Sequence, residues 1–424
     1  MARATKDSGI EWIREIPNDW KISKVKNVSK LFSGYAFDGE ALSLEGENIV
    51  IRIGDIVHGT IDIKNANKTS FDCSSLEDFK IKKNDVLIAM SGATVGKLGF
   101  IDFTPENCYI NQRVGILRSE LAKFLYFCLS TEKFLEYIML ESIGSAQPNI
   151  SNDGINNYPI PLPPLAEQQK ISAFLDKQCS EIDAVLTKTK ESIEEYKLLK
   201  NAIITQAVTK GIRPNRKMKD SGIEWIGEIP EEWEVCKLKP FLKWKSIKGF
   251  GNETVLSLYR DLGVVPKDSR DDNHNVTSLD TDSYKLVEVD DFVINKMKAW
   301  QGSMAISNYR GIVSPAYHIC SIESNKIYKP YFHHLMRNKS YLPEYERLSG
   351  GLRIGQWDLA FDDFCQIKFL IPSLEEQKEI ANYVDKKCIE IDTLITKKEQ
   401  LITELETYKK SLIYEYVTGK KEVQ

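Results

Sequence analysis

No run of eighteen uninterrupted apolar residues occurs in this 424-residue sequence, which excludes an ordinary membrane-spanning helix. The opening MARATKDSG lacks the apolar core of a secretory signal, so a cytoplasmic location is expected. Low-complexity tracts are missing, and with 42% hydrophobic and 28% charged residues disorder is not expected. The eight cysteines (73, 108, 128, 179, 236, 320, 365, 388) form no C-x-x-C pair and share no zinc spacing with histidine. They read as reduced, mostly buried thiols, and no metal is expected. A strongly basic balance is missing as well: net charge is −4, which argues against coating nucleic acid by bulk attraction.

Catalytic motifs are also wanting. SGATVGK (Ser91 to Lys97) is one spacer residue short of a phosphate loop and carries Leu98 where a magnesium-binding hydroxyl is required. No [ND]-P-P-[YF] tetrapeptide exists to hold a target amine for base methylation; Pro163 and Pro164 follow Leu162. The E-x-K triplets Glu195-Tyr196-Lys197 and Glu376-Gln377-Lys378 fall on predicted helices, where residues two apart point to different faces. His58, His274 and His318 are isolated, and His333 and His334 sit in a predicted helix, which suits core or surface roles. The chain is expected to have no active site and to bind no cofactor of its own.

What the sequence does have is repetition. DSGIEWIREIPNDW (Asp7 to Trp20) returns as DSGIEWIGEIPEEW (Asp220 to Trp233), and PPLAEQQKISAFLDKQCSEID (Pro163 to Asp183) returns as PSLEEQKEIANYVDKKCIEID, an offset of 372 − 163 = 209. Between these landmarks each half holds a mixed α/β region of roughly 130 to 140 residues, read from short alternating runs and turn signals. Asp85 and Gly96 fall on Asp291 and Gly302 at one offset, 206, while the rest has diverged. The expected fold class is α/β (α+β): two mixed α/β domains separated by two long antiparallel coiled-coil helices, an internal repeat. Expected boundaries are 1–162 for the N-terminal segment and first domain, 163–211 for the first helix, 212–371 for the linker and second domain, and 372–424 for the second helix.

Both helices should begin sharply, with Pro164 in one first turn and an S-x-x-E capping box at Ser373 and Glu376 in the other. Gly211 and Gly419 suit left-handed closing positions. Heptad spacing runs through Leu175, Ile182, Thr189, Tyr196 and Ile203, with Ile171, Val185 and Leu199 as companions. The second helix gives Val384, Ile391, Lys398, Leu405 and Leu412, with Ile380, Leu394, Leu401 and Tyr408. Such seams want a partner helix; the other copy is the obvious one, and Thr189 and Lys398, which break both seams, are expected to meet and fix register.

Polar and aromatic clusters near predicted turns offer side chains suited to base edges: Lys97; Arg113 in INQRVG; Gln147 and Asn149 in GSAQPNISND; Lys298, Trp300 and Gln301 in KAWQG; Arg353 and Gln356 in GGLRIGQWD. Two lysine strips, KISKVKNVSK (Lys21 to Lys30) and CKLKPFLKWKSIKGF (Cys236 to Phe250), carry no acid. Charge alone favours solvated strand edges over phosphate-binding strips, with Lys243 and Lys245 the candidates for the second reading.

Taken together, IEWIGEIPEEW before a variable region, IKKNDVLIAMSGATVGK inside it and PLPPLAEQQKI leading into a long helix that ends VTKG, all in tandem, resemble the specificity subunit of type I restriction-modification systems. The resemblance implies a non-catalytic DNA-binding subunit whose variable regions are target-recognition domains, each reading one half of a bipartite, asymmetric site in double-stranded DNA. It implies paired helices that set the gap and dock two modification (methyltransferase) subunits bringing S-adenosylmethionine, with restriction (motor-nuclease) subunits using ATP and magnesium. The rivals are a methyltransferase or nuclease with fused recognition domains and a coiled-coil scaffold without DNA specificity. If the halves are related by a two-fold axis, Asp7 to Trp20 should sit by the end of the second helix, near Leu412 to Gly419, with Trp12, Trp20, Trp225 and Trp233 as packing anchors.

Overall fold

The computed structural model describes residues 3–142, 148–269, 281–351 and 357–423. It contains two compact units, Met1–Thr189 with Gln400–Gln424, and Lys190–Glu399.

In the first unit the repeated phrase is a small hairpin, Thr5–Asp7 against Glu15–Pro17. Gly9 takes φ +71° at its turn, and the Asp7 carboxylate accepts the Gly9 N–H at 2.9 Å. Strand Lys21–Lys24 then pairs antiparallel with Pro159–Leu162, clasping the two ends of the recognition domain. The domain's central sheet has the order Leu98–Phe100, Val86–Ala89, Val114–Arg118, Lys30–Ser33. Val86 and Ile88 pack into the core beneath the helices Ala122–Leu129 and Glu132–Glu141, while Leu87 and Ala89 enter a second core on the opposite face. A strand covered on both faces must be apolar throughout, which is why VLIA shows no alternation.

The second unit repeats this plan. The hairpin Met218–Asp220 with Glu228–Pro230 leads to Glu234–Lys237 paired with Lys368–Ile371. The central sheet runs Met304–Ile306, Phe292–Asn295, Tyr317–Ile322, Leu242–Lys245, the same order strand for strand. The helices Lys329–Met336 and Leu342–Leu348 cover the face that carries Phe292 and Ile294.

The long helices are Leu165–Lys210 and Leu374–Val417, about 66 to 69 Å each at 1.5 Å per residue. Within the first unit Phe174 meets Tyr416 with ring centroids 4.5 Å apart, and Lys409 Nζ lies 2.7 Å from Asp183. Residue numbers rise on one helix as they fall on the other, so the segments are antiparallel. Lys200 paired with Asp392 at 2.7 Å, and Lys398 over the Tyr196 ring at 5.6 Å, give the same sense in the second unit.

The seam follows one of the two expected heptad rows and departs from the other. Buried or partly buried isoleucine recurs every eleven residues, at Ile171, Ile182, Ile193 and Ile204 and again at Ile380, Ile391, Ile402 and Ile413. Eleven residues in three turns is about 3.67 per turn, close to the natural period of the helix, whereas a strict heptad row drifts by about 20° per repeat on a straight helix. The companion row therefore turns outward, leaving Val185, Leu199, Leu394, Leu401 and Tyr408 exposed. On the other row Leu175, Ile182, Thr189, Val384, Ile391 and Leu412 are buried, and Tyr196, Ile203, Lys398 and Leu405 are half-buried. In the second unit Lys398 covers Tyr196, and in the first the Thr189 hydroxyl donates to the Val185 carbonyl at 2.7 Å.

Both helix starts are built around one carboxylate. Glu376 accepts from Arg216, which also binds Glu232 at 2.8 Å, and from the Trp233 indole N–H at 3.2 Å. Glu167 likewise takes Arg3 at 2.5 Å and the Trp20 indole at 2.9 Å, with Asp19 2.8 Å from Arg3. The anticipated capping box is thus half formed: Ser373 Oγ accepts the Glu376 N–H at 3.3 Å, but the Glu376 carboxylate serves the arginine. Pro164 lies just before its helix, its carbonyl accepting from Glu167 and Gln168. Gly211 and Gly419 close the helices at φ +76° and +70°.

The joint expected of the N-terminal phrase is present. Tyr414 donates its hydroxyl to the Trp12 carbonyl at 2.8 Å, Lys420 Nζ donates to the Glu15 carbonyl at 2.8 Å, and Trp20 is buried with Val417. In the second unit Lys210 Nζ donates to the Ile226 carbonyl at 3.1 Å, and Trp233 packs with Val208.

Candidate nucleic-acid interface

One end of each central sheet carries a turn whose frame is the same in both domains while its side chains differ. In the first domain a single 3-10 turn, Gly92–Thr94, links strands Val86–Ala89 and Leu98–Phe100; in the second, Ala299–Gln301 links Phe292–Asn295 and Met304–Ile306. Its backbone bonds coincide at offset 206: Ala89 N–H to Lys97 carbonyl matches Asn295 to Ser303, and Val95 to Gly92 matches Gln301 to Lys298. Gly96 and Gly302 take φ +81° and +77°, and a Cβ at either would come within 2.9 Å of a side chain on the covering helix, Ile138 or Leu342. Only glycine satisfies both demands.

Two further segments meet this turn. The Met90 N–H donates to the Arg113 carbonyl and the Ile150 N–H to the Met90 carbonyl, each at 2.9 Å. Lys296 to Ala316 at 3.1 Å and Leu359 to Lys296 at 3.0 Å repeat the pattern. Lys97, Arg113 and Asn149, scattered in sequence, are therefore brought around one turn, and all three are exposed. Lys298 is exposed beside Gln301, and Trp300 is half-buried, edge-on to Trp357 with centroids 5.3 Å apart. Gln147, Arg353 and Gln356 lie outside the described residues.

Lys245 is a correction. Its ammonium lies 2.6 Å from Asp291, whose side chain is 5% exposed, so it neutralises a buried carboxylate and is not available to a phosphate. The first domain handles the equivalent Asp85 with Arg118, 3.1 Å away on a different strand. Burial, outweighing Arg118, pushes the Asp85 carboxyl above its usual range. Lys243 keeps an exposed ammonium, 3.5 Å from Glu323. In the first strip Lys26 donates to Asn157 at 3.0 Å and Lys30 lies over Phe32 at 4.5 Å, as strand-edge lysines do.

Thr94 and Lys285 escaped sequence reasoning, whereas Trp300 is one of its candidates and Ser91 and His318 are given no site role. Ser91 Oγ, Thr94 Oγ1, Trp300 Nε1 and His318 Nδ1 are buried atoms without a hydrogen-bond partner among the described residues. Lys285 is buried, its ammonium donating to the carbonyls of Pro315 at 3.1 Å and Tyr317 at 2.6 Å. Burial, with Lys296 and Lys248 nearby, lowers its pKa. His318 is lowered too, by burial against the opposing bond to the Leu359 carbonyl. The offset-206 match of Thr94 with Trp300 was the available signal, but nothing in sequence distinguished it from ordinary divergence.

Among the described residues, no group of three His, Cys, Asp or Glu side chains could hold a metal, and no helix is long and apolar enough to cross a membrane. His333 accepts the Ile306 N–H on Nδ1 at 3.2 Å, and His334 lies 2.7 Å from Asp385.

Known proteins place this arrangement. The family model described as the type I restriction modification DNA specificity domain matches twice, over residues 17–195 and 230–406. The MjaVIII specificity subunit of Methanocaldococcus jannaschii is 23% identical, the match covering 96% of this chain and 94% of that one. The EcoKI specificity subunit of Escherichia coli K12 is 24% identical over 90% and 84%. In fold, the chain resembles a chain from a structure of type I R-M complex assembly, with TM-score 0.69, 14% identity and coverage of 96% and 99%. It also resembles the HsdS subunit of Thermoanaerobacter tengcongensis, with TM-score 0.53, 14% identity and coverage of 96% and 98%. With two tandem matches across most of its length, the chain belongs to the type I restriction modification DNA specificity family, as a non-catalytic specificity subunit.

Proposed function

We propose that each recognition domain reads one half of a bipartite, asymmetric site in double-stranded DNA through the turn at the end of its central sheet. One observation carries this reading: the frame of that turn is kept between the two copies while the side chains it presents, SGATVGK and MKAWQGS, are different. A reading element needs a fixed backbone and interchangeable side chains, because position comes from the scaffold and sequence discrimination from the groups at base edges. Exposed Lys97, Arg113, Lys298 and Lys243 supply backbone phosphate contacts, which add affinity without sequence preference.

The long helices hold the half-sites apart and dock two modification subunits. The exposed apolar residues left by the eleven-residue seam support this: Val185 and Tyr408 in the first unit correspond, at offset 209, to Leu394 and Leu199 in the second. Equivalent patches suit two copies of one partner. The methyltransferase subunits bring S-adenosylmethionine and modify adenine at N6; restriction subunits bring ATP and magnesium; this chain's own residues supply recognition and spacing. The test is methylation mapping after reconstitution with the modification subunits, in which a motif of two short specified blocks around an unspecified gap is expected. Methylation by the isolated chain, or a motif without a gap, would overturn the proposal.

A further inference from the structure

We propose that Thr94 and Trp300, which occupy the same place on the two equivalent turns, discriminate bases in the first and second half-sites respectively. This inference rests on the reading of the turns given above and assigns the discriminating atoms.

Two observations converge on these two residues. They correspond at offset 206, within a frame held by matching backbone bonds and by Gly96 and Gly302. Both carry a buried polar atom, Thr94 Oγ1 or Trp300 Nε1, without a partner among the described residues. Native proteins pair nearly all such atoms, because a buried donor without an acceptor forfeits its bonds to water. Other such atoms occur among the described residues, Tyr158 and Tyr341 hydroxyls among them, but Thr94 and Trp300 carry theirs at the same point of two equivalent turns, which argues for a partner supplied from outside.

The chemistry of each atom restricts that partner. An indole N–H only donates, so Trp300 requires an acceptor: N7 or O6 of guanine, N7 of adenine, or O4 of thymine in the major groove, and never the cytosine amino group. Trp300 is half-buried, edge-on to Trp357 and two residues from exposed Lys298; in the proposed complex its edge turns to the base while the lysine engages the backbone. Near Thr94 lies a second hydroxyl without a partner among the described residues, Ser91 Oγ, and hydroxyls both donate and accept. The two hydroxyls together fit a base pair edge that offers a donor beside an acceptor, such as N6 and N7 of adenine.

The experiment uses the full chain assembled with its modification subunits, carrying Trp300→Phe or Thr94→Val, with methylation rates measured on a library of site variants. Trp300→Phe keeps a ring against Trp357 but removes the donor; it should relax discrimination at one base pair of the second domain's half-site by on the order of 10- to 100-fold, leaving the other half-site unchanged. Thr94→Val, which is nearly isosteric, should do the converse, and it keeps the idea open to refutation if the indole variant fails to assemble. Wild-type preference at every position in both variants, or equal relaxation of both half-sites by either one, would overturn the assignment. A wild-type complex without a bipartite preference would instead refute the reading on which it rests.

Discussion

Replacing Lys245 by methionine tests whether that lysine serves the fold or the DNA. Its ammonium lies 2.6 and 2.8 Å from the two oxygens of Asp291, and the side chains are 21% and 5% exposed. Asp291 Oδ2 also accepts the Glu288 N–H at 2.8 Å, so the carboxylate is fixed and cannot swing to water. Breaking a buried pair by removing one partner costs about 3 to 5 kcal/mol, because the other charge is left uncompensated. Hydrogen exchange followed by mass spectrometry reads this locally: amides of Phe292–Asn295 should exchange roughly a hundred- to a few-thousand-fold faster. Amides of Val86–Ala89, in the other unit, serve as the internal standard and should not change.

The first domain suggests the rescue. Arg118 is directly opposite Lys30 in the sheet, as Ser321 is opposite Lys243, and Phe32 holds the place of Lys245. Lys245→Phe with Ser321→Arg would therefore transplant the Arg118 arrangement, in which the guanidinium binds Asp85 and lies 4.7 Å over the Phe32 ring. Protection should return. The reasoning fails if Lys245→Met changes exchange by less than about ten-fold while DNA binding is lost, since that pattern would make Lys245 a DNA contact after all.

Two other outcomes follow from burial. Ile193→Ala should cost about 2 to 5 kcal/mol in denaturant unfolding, whereas Leu199→Ala, at a position 47% exposed, should change stability far less and instead weaken binding of the modification subunits; equal losses of stability would refute the eleven-residue seam. His333 is half-buried, and its pKa is pushed down to about 3 by burial first, then by Arg337 and His334, against the opposing pull of Asp385. The unfolded chain protonates this imidazole near 6.5, so the unfolded state binds more protons below that pH: the neutral histidine's contribution is complete above 6.5 and is lost as pH falls toward 3, by up to about 1.4 kcal/mol per pH unit. His333→Gln should flatten the acid limb of stability against pH measured by thermal melting, and an unchanged limb would contradict this.

The repeated phrase, the two long helices and the mixed α/β class were legible in the sequence because each rests on local or periodic signals: tandem wording, the lack of helix breakers, and turns between short apolar runs. The eleven-residue isoleucine row was equally available, at Ile171, Ile182, Ile193 and Ile204 and at their counterparts 209 residues on. A heptad template obscured it, because seven and eleven agree over the first two turns and diverge only along the length of the helix.

Sequence alone determined that two copies of one plan exist, that each ends in a long helix, and that the N-terminal phrase belongs at the end of the second. Those conclusions need only repetition and backbone preference. Tertiary structure decided which lysine keeps an exposed ammonium: Lys243 and Lys245, two apart, share one face of their strand, and only the neighbouring segments set Lys245 against buried Asp291 and leave Lys243 near exposed Glu323. It also gathered Lys97, Arg113 and Asn149 around one turn and left Thr94 and Trp300 with atoms unpartnered among the described residues at the same point in two domains. Pairing across strands and burial are relations between residues distant in the chain, and no local pattern records them.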